Sequence, residues 1–395
     1  MPVDRARIGN VALVVTAGIG AADLARALAD ARAIPQQTDL TVYLAAAQRL
    51  AHGICVYSPT VTAALRGSTV PEPLFVNPPP IAAALLPLAS TSLSRAVLVF
   101  LAASLLATAA AVWLAASRLL PAGFPLWRRV LLAAVAAATF PAIQVFAFTG
   151  WDGFLLLALV GSLLLLRGGR PLLAGLAGAV FLLKPQLAWG VPLVFLVARE
   201  WRALAGFALG GVVWAAGSLA TASPSCLRQI AGNVGVLAGQ VNRSVGLPGL
   251  FDNATRVAAL STALSVLLAA ATVAACWHWR RPIAADPAAA IALVTVAVLL
   301  GALHAFGDDL MLLMPALLLA ARARPGLVIG AVLLLDAALR LDMLVDPHQS
   351  VAVGIVFAGL AVAGLLVFRP DRARPASPPA FGPVRPTPPT LTDPV

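Results

Sequence analysis

The sequence predicts an all-α polytopic membrane protein. Three observations carry that expectation. The chain is 61% hydrophobic and only 11% charged, with a mean hydropathy of +0.93, where a soluble domain carries about 25% charged residues. Apolar runs recur along most of its 395 residues, several of them near the ~20 residues that cross a bilayer as a helix. The net charge of +11 comes mainly from arginines in short polar gaps, among them Arg128 and Arg129, Arg167 and Arg170, Arg199 and Arg202, Arg280 and Arg281, and Arg322 and Arg324. Short basic gaps between apolar runs are the positive-inside signature, so the charge reports topology and excludes a nucleic-acid partner.

With those gaps in the cytoplasm, the elements follow in order. Residues 8–29 read as a retained first helix, with Arg5 and Arg7 inside, and residues 30–80 as an outer loop. Within that loop "PPPIAAALLPLAS" is too short and proline-rich to span, and reads as a re-entrant or interfacial piece. Residues 95–117 return inward, 129–148 cross outward, and 153–166 cross back after the turn "TGWDG". Residues 171–198 are basic at both ends, which predicts a hairpin of two half-helices broken at Pro185. Residues 201–221 lead out to a polar outer loop, 222–255, and 256–277 lead back. Four further crossings near 287–304, 309–321, 325–343 and 350–368 bring the total to roughly ten to thirteen hydrophobic helices. Residues 1–368 thus form one integral membrane domain. Residues 369–395, proline-rich and basic, read as a disordered cytoplasmic tail.

Cys55, Cys226 and Cys276 show no paired spacing, so neither a disulfide framework nor a zinc site is expected. Lys184 is the only lysine, a bias that points to a GC-rich bacterial genome. The zigzag places Asp39, Glu72, Asp152, Asp252, Asp308, Asp309, Asp342 and Asp346 on the outer face.

Several constellations carry candidate chemistry. Asp39 heads "DLTVYLAAAQRL", an amphipathic pattern suited to the outer interface, with Tyr43 one turn on. Asp39 is either the N-cap of that helix or a general base for a hydroxyl acceptor; both fit if a neighbour caps. Lys184, in "FLLKPQLAWG", is costly at membrane depth and so a candidate functional residue. As a lone ammonium at a helix break it suits a phosphate, with snorkelling to the interface as the alternative. Gln240, Asn242, Arg243 and Ser244 suit sugar hydroxyls or a phosphate, or form a plain solvated loop. His304, Asp308 and Asp309 fall at the outer end of a helix, where substrate hydrogen bonding or an N-cap by Asp308 outweighs a metal pair. No phosphate-binding glycine loop, dinucleotide fingerprint or H-E-x-x-H occurs.

Four stretches in order, "DLTVYLAAAQRLAHGICVYSP" followed by "NPPPIAAALLPLA", "FTGWDGFLLLAL", "RGGRPLLAGLAGAVFLLKPQLAWGVPLVFLVAREWRAL" and "HAFGDDLMLLMPALLLAA", resemble glycosyltransferase family 87, formerly domain of unknown function 2029. The resemblance spans roughly residues 36–320. It implies a GT-C type bundle in the bacterial inner membrane, both termini cytoplasmic and the active site facing outward. It implies inverting transfer of a hexose, mannose being the expected one, from a polyprenyl-phosphate donor to a hydroxyl of a glycolipid or glycan acceptor. Asp39 matches the family's base in the first outer loop. Lys184 and Arg243 then fall to the donor phosphate, and Tyr43, Trp151, Asp152, Gln186, Gln240, Asn242, His304 and Asp308 to sugar or acceptor. No metal and no other cofactor is expected. The chain departs from the family pattern at Gly150-Trp151-Asp152-Gly153, at Val76-Asn77 and at Asp308-Asp309. The alternative reading is a multi-pass transporter or lipid flippase, for which only one interrupted helix is visible in sequence.

Overall fold

The computed structural model describes residues 5–33, 39–58, 74–121, 123–137, 145–146, 149–238, 244–322, 324–345, 351–352, 354–357 and 359–360. Glu72, Gln240, Asn242, Arg243, Asp346 and the tail from 369 lie outside the described residues. The described residues form helices and connecting turns. Thirteen helices matter for the site: α1 (Arg5–Ala33), α2 (Leu40–Ala51), α3 (Pro79–Ala84), α4 (Leu93–Arg118), α5 (Leu126–Ala137), α6 (Asp152–Arg167), α7 (Pro171–Gly178), α8 (Gly190–Ala198), α9 (Trp201–Thr221), α10 (Ala258–His278), α11 (Pro287–Gly301), α12 (Met314–Ala321) and α13 (Pro325–Val345).

Three of these, α4, α9 and α10, are long and apolar enough to cross a membrane, which makes this an all-α, multi-pass membrane protein. Helices α9 and α10 bury little more than Ala203, Gly206 and Gly210 on one, and Ser261, Thr272 and Cys276 on the other. Their Val212, Val213, Leu219, Val266 and Leu267 face outward, as lipid-facing positions do. The centre belongs to α6 and α11, whose Leu155, Leu156, Leu159, Val160, Ile291, Val298 and Leu299 are buried.

Small residues let the backbones close in. A Cβ on Gly175 of α7 would overlap the Ala203 carbonyl of α9, and one on Gly206 would overlap the Leu172 carbonyl of α7. In lipid, where no hydrophobic force drives helices together, such close contact supplies the packing. Ser162 of α6 adds a hydrogen bond to the Ala174 carbonyl at 2.9 Å, fixing α7 against the centre.

The chain between α7 and α8 breaks where the sequence places the break. Ala179–Leu183 is a 3₁₀ turn, Lys184 leaves helical conformation (φ −122°, ψ 80°), and Pro185 starts another short turn. Proline disfavours helical backbone in the residue before it. A second interruption, not foreseen, follows α11: Gly307–Leu313 is also 3₁₀, running into α12.

Two other expectations are corrected. Helix α2 does not lie on an interface with one open face: Leu40, Val42, Tyr43, Leu44, Ala45, Ala46, Ala47 and Arg49 are all buried. The run of three alanines leaves room for α3 and the turn Leu86–Ala89 to pack against it. Cys55 and Cys226, 171 residues apart, form a disulfide that ties the segment after α2 to the one after α9.

The two ends of the bundle differ in charge. Helix α6 carries Asp152 at its start and Arg167 at its end, roughly 22 Å apart at the helical rise. At the Arg167 end lie its ion pair with Asp286 (3.3 Å) and the bond from Arg322 to the Leu119 carbonyl (2.7 Å).

Replacing Gly175 with valine forces α7 and α9 apart. Overpacking of this kind costs about 1–3 kcal/mol, so the detergent-solubilised Gly175→Val protein is expected to unfold at a lower temperature than Gly175→Ala, and both below wild type, in a thermal melt.

Candidate functional site

At the Asp152 end of the bundle, both helix interruptions meet. The Lys184 ammonium donates to both oxygens of Asp152 (2.9 Å each), to Asp309 Oδ1 at 2.7 Å and to Asp308 Oδ2 at 3.3 Å. Asp152 and Asp309 are fully buried, while the Asp308 side chain keeps 16% of its surface and Lys184 14%. Lys184 is therefore not the lone ammonium the sequence suggested, since three carboxylates surround it.

Local backbone explains each placement. Asp152 opens α6, where Gly153 lies against Ser104 and Thr108 of α4 with no room for a side chain. Gly150 is equally constrained, because a Cβ there would sit 3.1 Å from Asp152 Oδ2 and 3.3 Å from Asp308 Oδ2. The Asp309 carboxylate accepts from the Phe306 N–H at 2.8 Å and so caps the 3₁₀ turn. The sequence offered Asp308 either that cap or substrate hydrogen bonding; its side chain reaches Lys184, and the cap is made by Asp309. The oxygens of Asp152, Asp308 and Asp309 lie within 4.8 Å of one another, a spacing a divalent cation could use. The Lys184 ammonium sits among those oxygens.

Asn77 supports Lys184 from behind. Its side chain donates to the Leu183 carbonyl at 3.1 Å, its own carbonyl accepts from Tyr57 Oη at 3.0 Å, and Asn233 donates to the Tyr57 and Phe75 carbonyls. The segments joined by the disulfide thus reach the residue next to Lys184.

Asp39 stands at the N-terminus of α2 and is exposed to solvent. Its side chain makes no capping hydrogen bond, so of its two sequence readings the cap is set aside. Desolvation by the surrounding protein, reinforced by the Asp308 charge and opposed by Lys184, pushes its carboxyl up to about 7. Leu40, the next residue, donates to Thr149 Oγ1 at 3.1 Å, and Gly150, which follows Thr149, lies against Asp152 and Asp308, so Asp39 stands near the cluster.

An aromatic wall adjoins these acids. Tyr43 packs on Trp151 (5.6 Å between ring centroids) and Phe75 (6.4 Å), and Trp151 packs on Phe100 (5.0 Å) and Phe154 (5.4 Å). The buried Trp151 Nε1 has no hydrogen-bond partner. His304 and Gln186 come together through a long contact of 3.5 Å from the Gln186 amide to the His304 carbonyl. Because 302–306 is not helical, His304 and Asp308 do not share a helix face. The structure thus gathers Asp39, Tyr43, Trp151, Asp152, Lys184 and Asp308, and adds Asp309, Asn77 and Thr149, which sequence reasoning did not assign. The Asp-Asp doublet was a visible signal for Asp309; for Asn77 and Thr149 there was none.

A family model described as glycosyltransferase family 87 matches residues 75–306, more than half of the chain. The chain belongs to glycosyltransferase family 87. Family 87 membership suggests a glycosyltransferase-like function and, with the apolar helices, a lipid-borne substrate environment. Asn77, Trp151, Asp152, Lys184 and His304 fall within the family 87 match, whereas Asp39, Asp308 and Asp309 fall outside it. No curated protein and no solved structure matches the chain.

Removing the cation leaves three buried or half-buried carboxylates uncompensated. Breaking such a pair costs about 3–5 kcal/mol, so Lys184→Met is expected to lower the thermal unfolding midpoint well below that of a Lys184→Arg protein. Equal midpoints for Lys184→Met and wild type would show that the cluster contributes nothing.

Proposed function

We propose that this protein is an inverting glycosyltransferase that moves a hexose, with mannose the favoured one, from a polyprenyl-phosphate donor to an acceptor hydroxyl of a glycolipid or glycan at the outer face of a bacterial inner membrane. The observation that carries the reading is Asp39, a carboxyl that is not used as a helix cap and whose helix start is tied through Thr149 to the turn that adjoins Asp152 and Asp308 of the Lys184 cluster, in a chain of family 87.

In this reading the acceptor oxygen attacks the anomeric carbon as its proton passes to the Asp39 carboxylate. The bond from that carbon to the phosphate oxygen breaks, and the polyprenyl phosphate leaves with the electron pair. A base with a pKa near the working pH suits this transfer. Tyr43, Trp151, Asp152, Gln186 and His304 line the sugar and acceptor side, a role the sequence also offers to Gln240 and Asn242. The unpartnered Trp151 N–H supports a hydroxyl acceptor there. Lys184 keeps a donor-phosphate role, alongside Arg243, only if one carboxylate yields. Asp308 has the longest contact and the most open side chain of the three, so it is the one to give way.

The disulfide supports an outward-facing site. Disulfides persist in oxidising compartments such as the periplasm, and Cys55 and Cys226 flank the segments that hold Asn77 and the break at Lys184. The termini then fall in the cytoplasm.

A second reading, a transporter or lipid flippase, is favoured by one observation: two interrupted helices, at Lys184 and at 307–313, meet across a charge cluster. Family 87 membership favours transfer.

The test uses labelled polyprenyl-phosphate hexoses in proteoliposomes, scoring both transfer and translocation. Asp39→Asn is expected to lower transfer by about 10²- to 10⁴-fold with folding intact. Asp39 must be ionised to act, so the wild-type rate rises with pH to a midpoint near 7 and is level above it. The Asp308 charge raises the Asp39 pKa, so Asp308→Asn moves the midpoint to lower pH. Translocation without transfer would replace this reading with the second one, and wild-type transfer by Asp39→Asn would remove Asp39 from the chemistry.

A further inference from the structure

Asp39 occupies the position before α2 where an aspartate would ordinarily cap the helix. It has helical backbone angles (φ −60°, ψ −27°) and makes no capping bond. The N–H of Leu40, the first residue of α2, donates to Thr149 Oγ1 at 3.1 Å, from 109 residues along the chain. The residue that follows the acid is thus tied to a distant turn.

That tie matters chemically. Leu40 directly follows Asp39, so the bond to Thr149 fixes where the Asp39 backbone stands and from where its carboxyl reaches out.

Thr149 holds its place against its own backbone preference. It is fully buried and has φ 56°, a left-handed conformation that a β-branched residue rarely adopts. Glycine would adopt it freely, and Gly150 follows directly in the chain. Strained residues of this kind persist where the surrounding structure requires their side chain. The Gly150 N–H closes the turn onto the Val145 carbonyl at 2.8 Å, and Asp152, bound to Lys184, lies three residues beyond Thr149. One short turn therefore touches the Asp39 helix at one side and the lysine cluster at the other.

We propose that Thr149 is a positioning residue for Asp39: its hydroxyl fixes the start of α2 and sets the spacing between the Asp39 carboxyl and the Asp152–Lys184 pair. This rests on the reading of Asp39 as the base.

The test is a set of Thr149 variants assayed for hexose transfer beside Asp39→Asn. Thr149→Val keeps the branched shape and removes the acceptor. Thr149→Gly removes the acceptor and relieves the backbone, so it folds at least as well as wild type. Both are expected to lower kcat about 10- to 100-fold with KM changed less than about threefold, and Thr149→Ser to recover most of the rate. Thr149→Gly with wild-type kcat overturns the proposal, as does Thr149→Ser as impaired as Thr149→Val. If Asp39→Asn is inactive while the Thr149 variants resemble wild type, only the positioning role falls. If Asp39→Asn transfers normally, the base reading falls and the positioning role with it.

Discussion

One ammonium holds the site together. Lys184 is held within hydrogen-bond distance of Asp152, Asp308 and Asp309, which arrive from two other parts of the chain. In a dry interior three carboxylates cannot sit together without a positive partner. The lysine is what allows the start of α6 and the turn 307–313 to converge, and the break at Pro185 is what lets the lysine reach them. Everything else at this end is arranged around that constraint. Gly150 leaves room between two carboxylates, Gly153 presses α6 onto α4, and Asn77 holds the carbonyl preceding Lys184.

The same constraint sets the chemistry available to Asp39. Desolvation, reinforced by the Asp308 charge and opposed by Lys184, lifts its carboxyl into the range where it exchanges protons near neutral pH. An interfacial aspartate far from other charges would be ionised at neutral pH and be a feeble base. The acid cluster therefore tunes a neighbour as well as binding a cation.

Much of the fold was legible in the sequence because apolar length and basic gaps are local signals. The helix breaks at Lys184–Pro185 and the short proline-rich pieces after Asn77 follow from proline chemistry within a few residues. Lys184 was singled out because charge at membrane depth is costly, and Asp39, Asp152 and Asp308 because the basic gaps put them together on the outer face. What could not be read were pairings at long separation. Cys55 meets Cys226 across 171 residues, the Thr149 hydroxyl meets Leu40 across 109, and Asn77 meets Leu183 across 106. Nor could the burial of α2 be read, since an amphipathic pattern next to a membrane fits an interface as well as a groove between helices. The positions where the chain departs from the family pattern, Asn77, Trp151-Asp152 and Asp308-Asp309, all converge on this one site.

The most direct test of a single site at this end is an electron cryo-microscopy structure in a lipid nanodisc with a non-hydrolysable polyprenyl-phosphate hexose bound. The expected result has the anomeric carbon facing Asp39, the phosphate within hydrogen-bond reach of Lys184, Asp308 displaced from the ammonium, and Asp152 and Asp309 still in place. A donor bound at the Arg167–Arg322 end, or Lys184 found apart from its three aspartates, would contradict it.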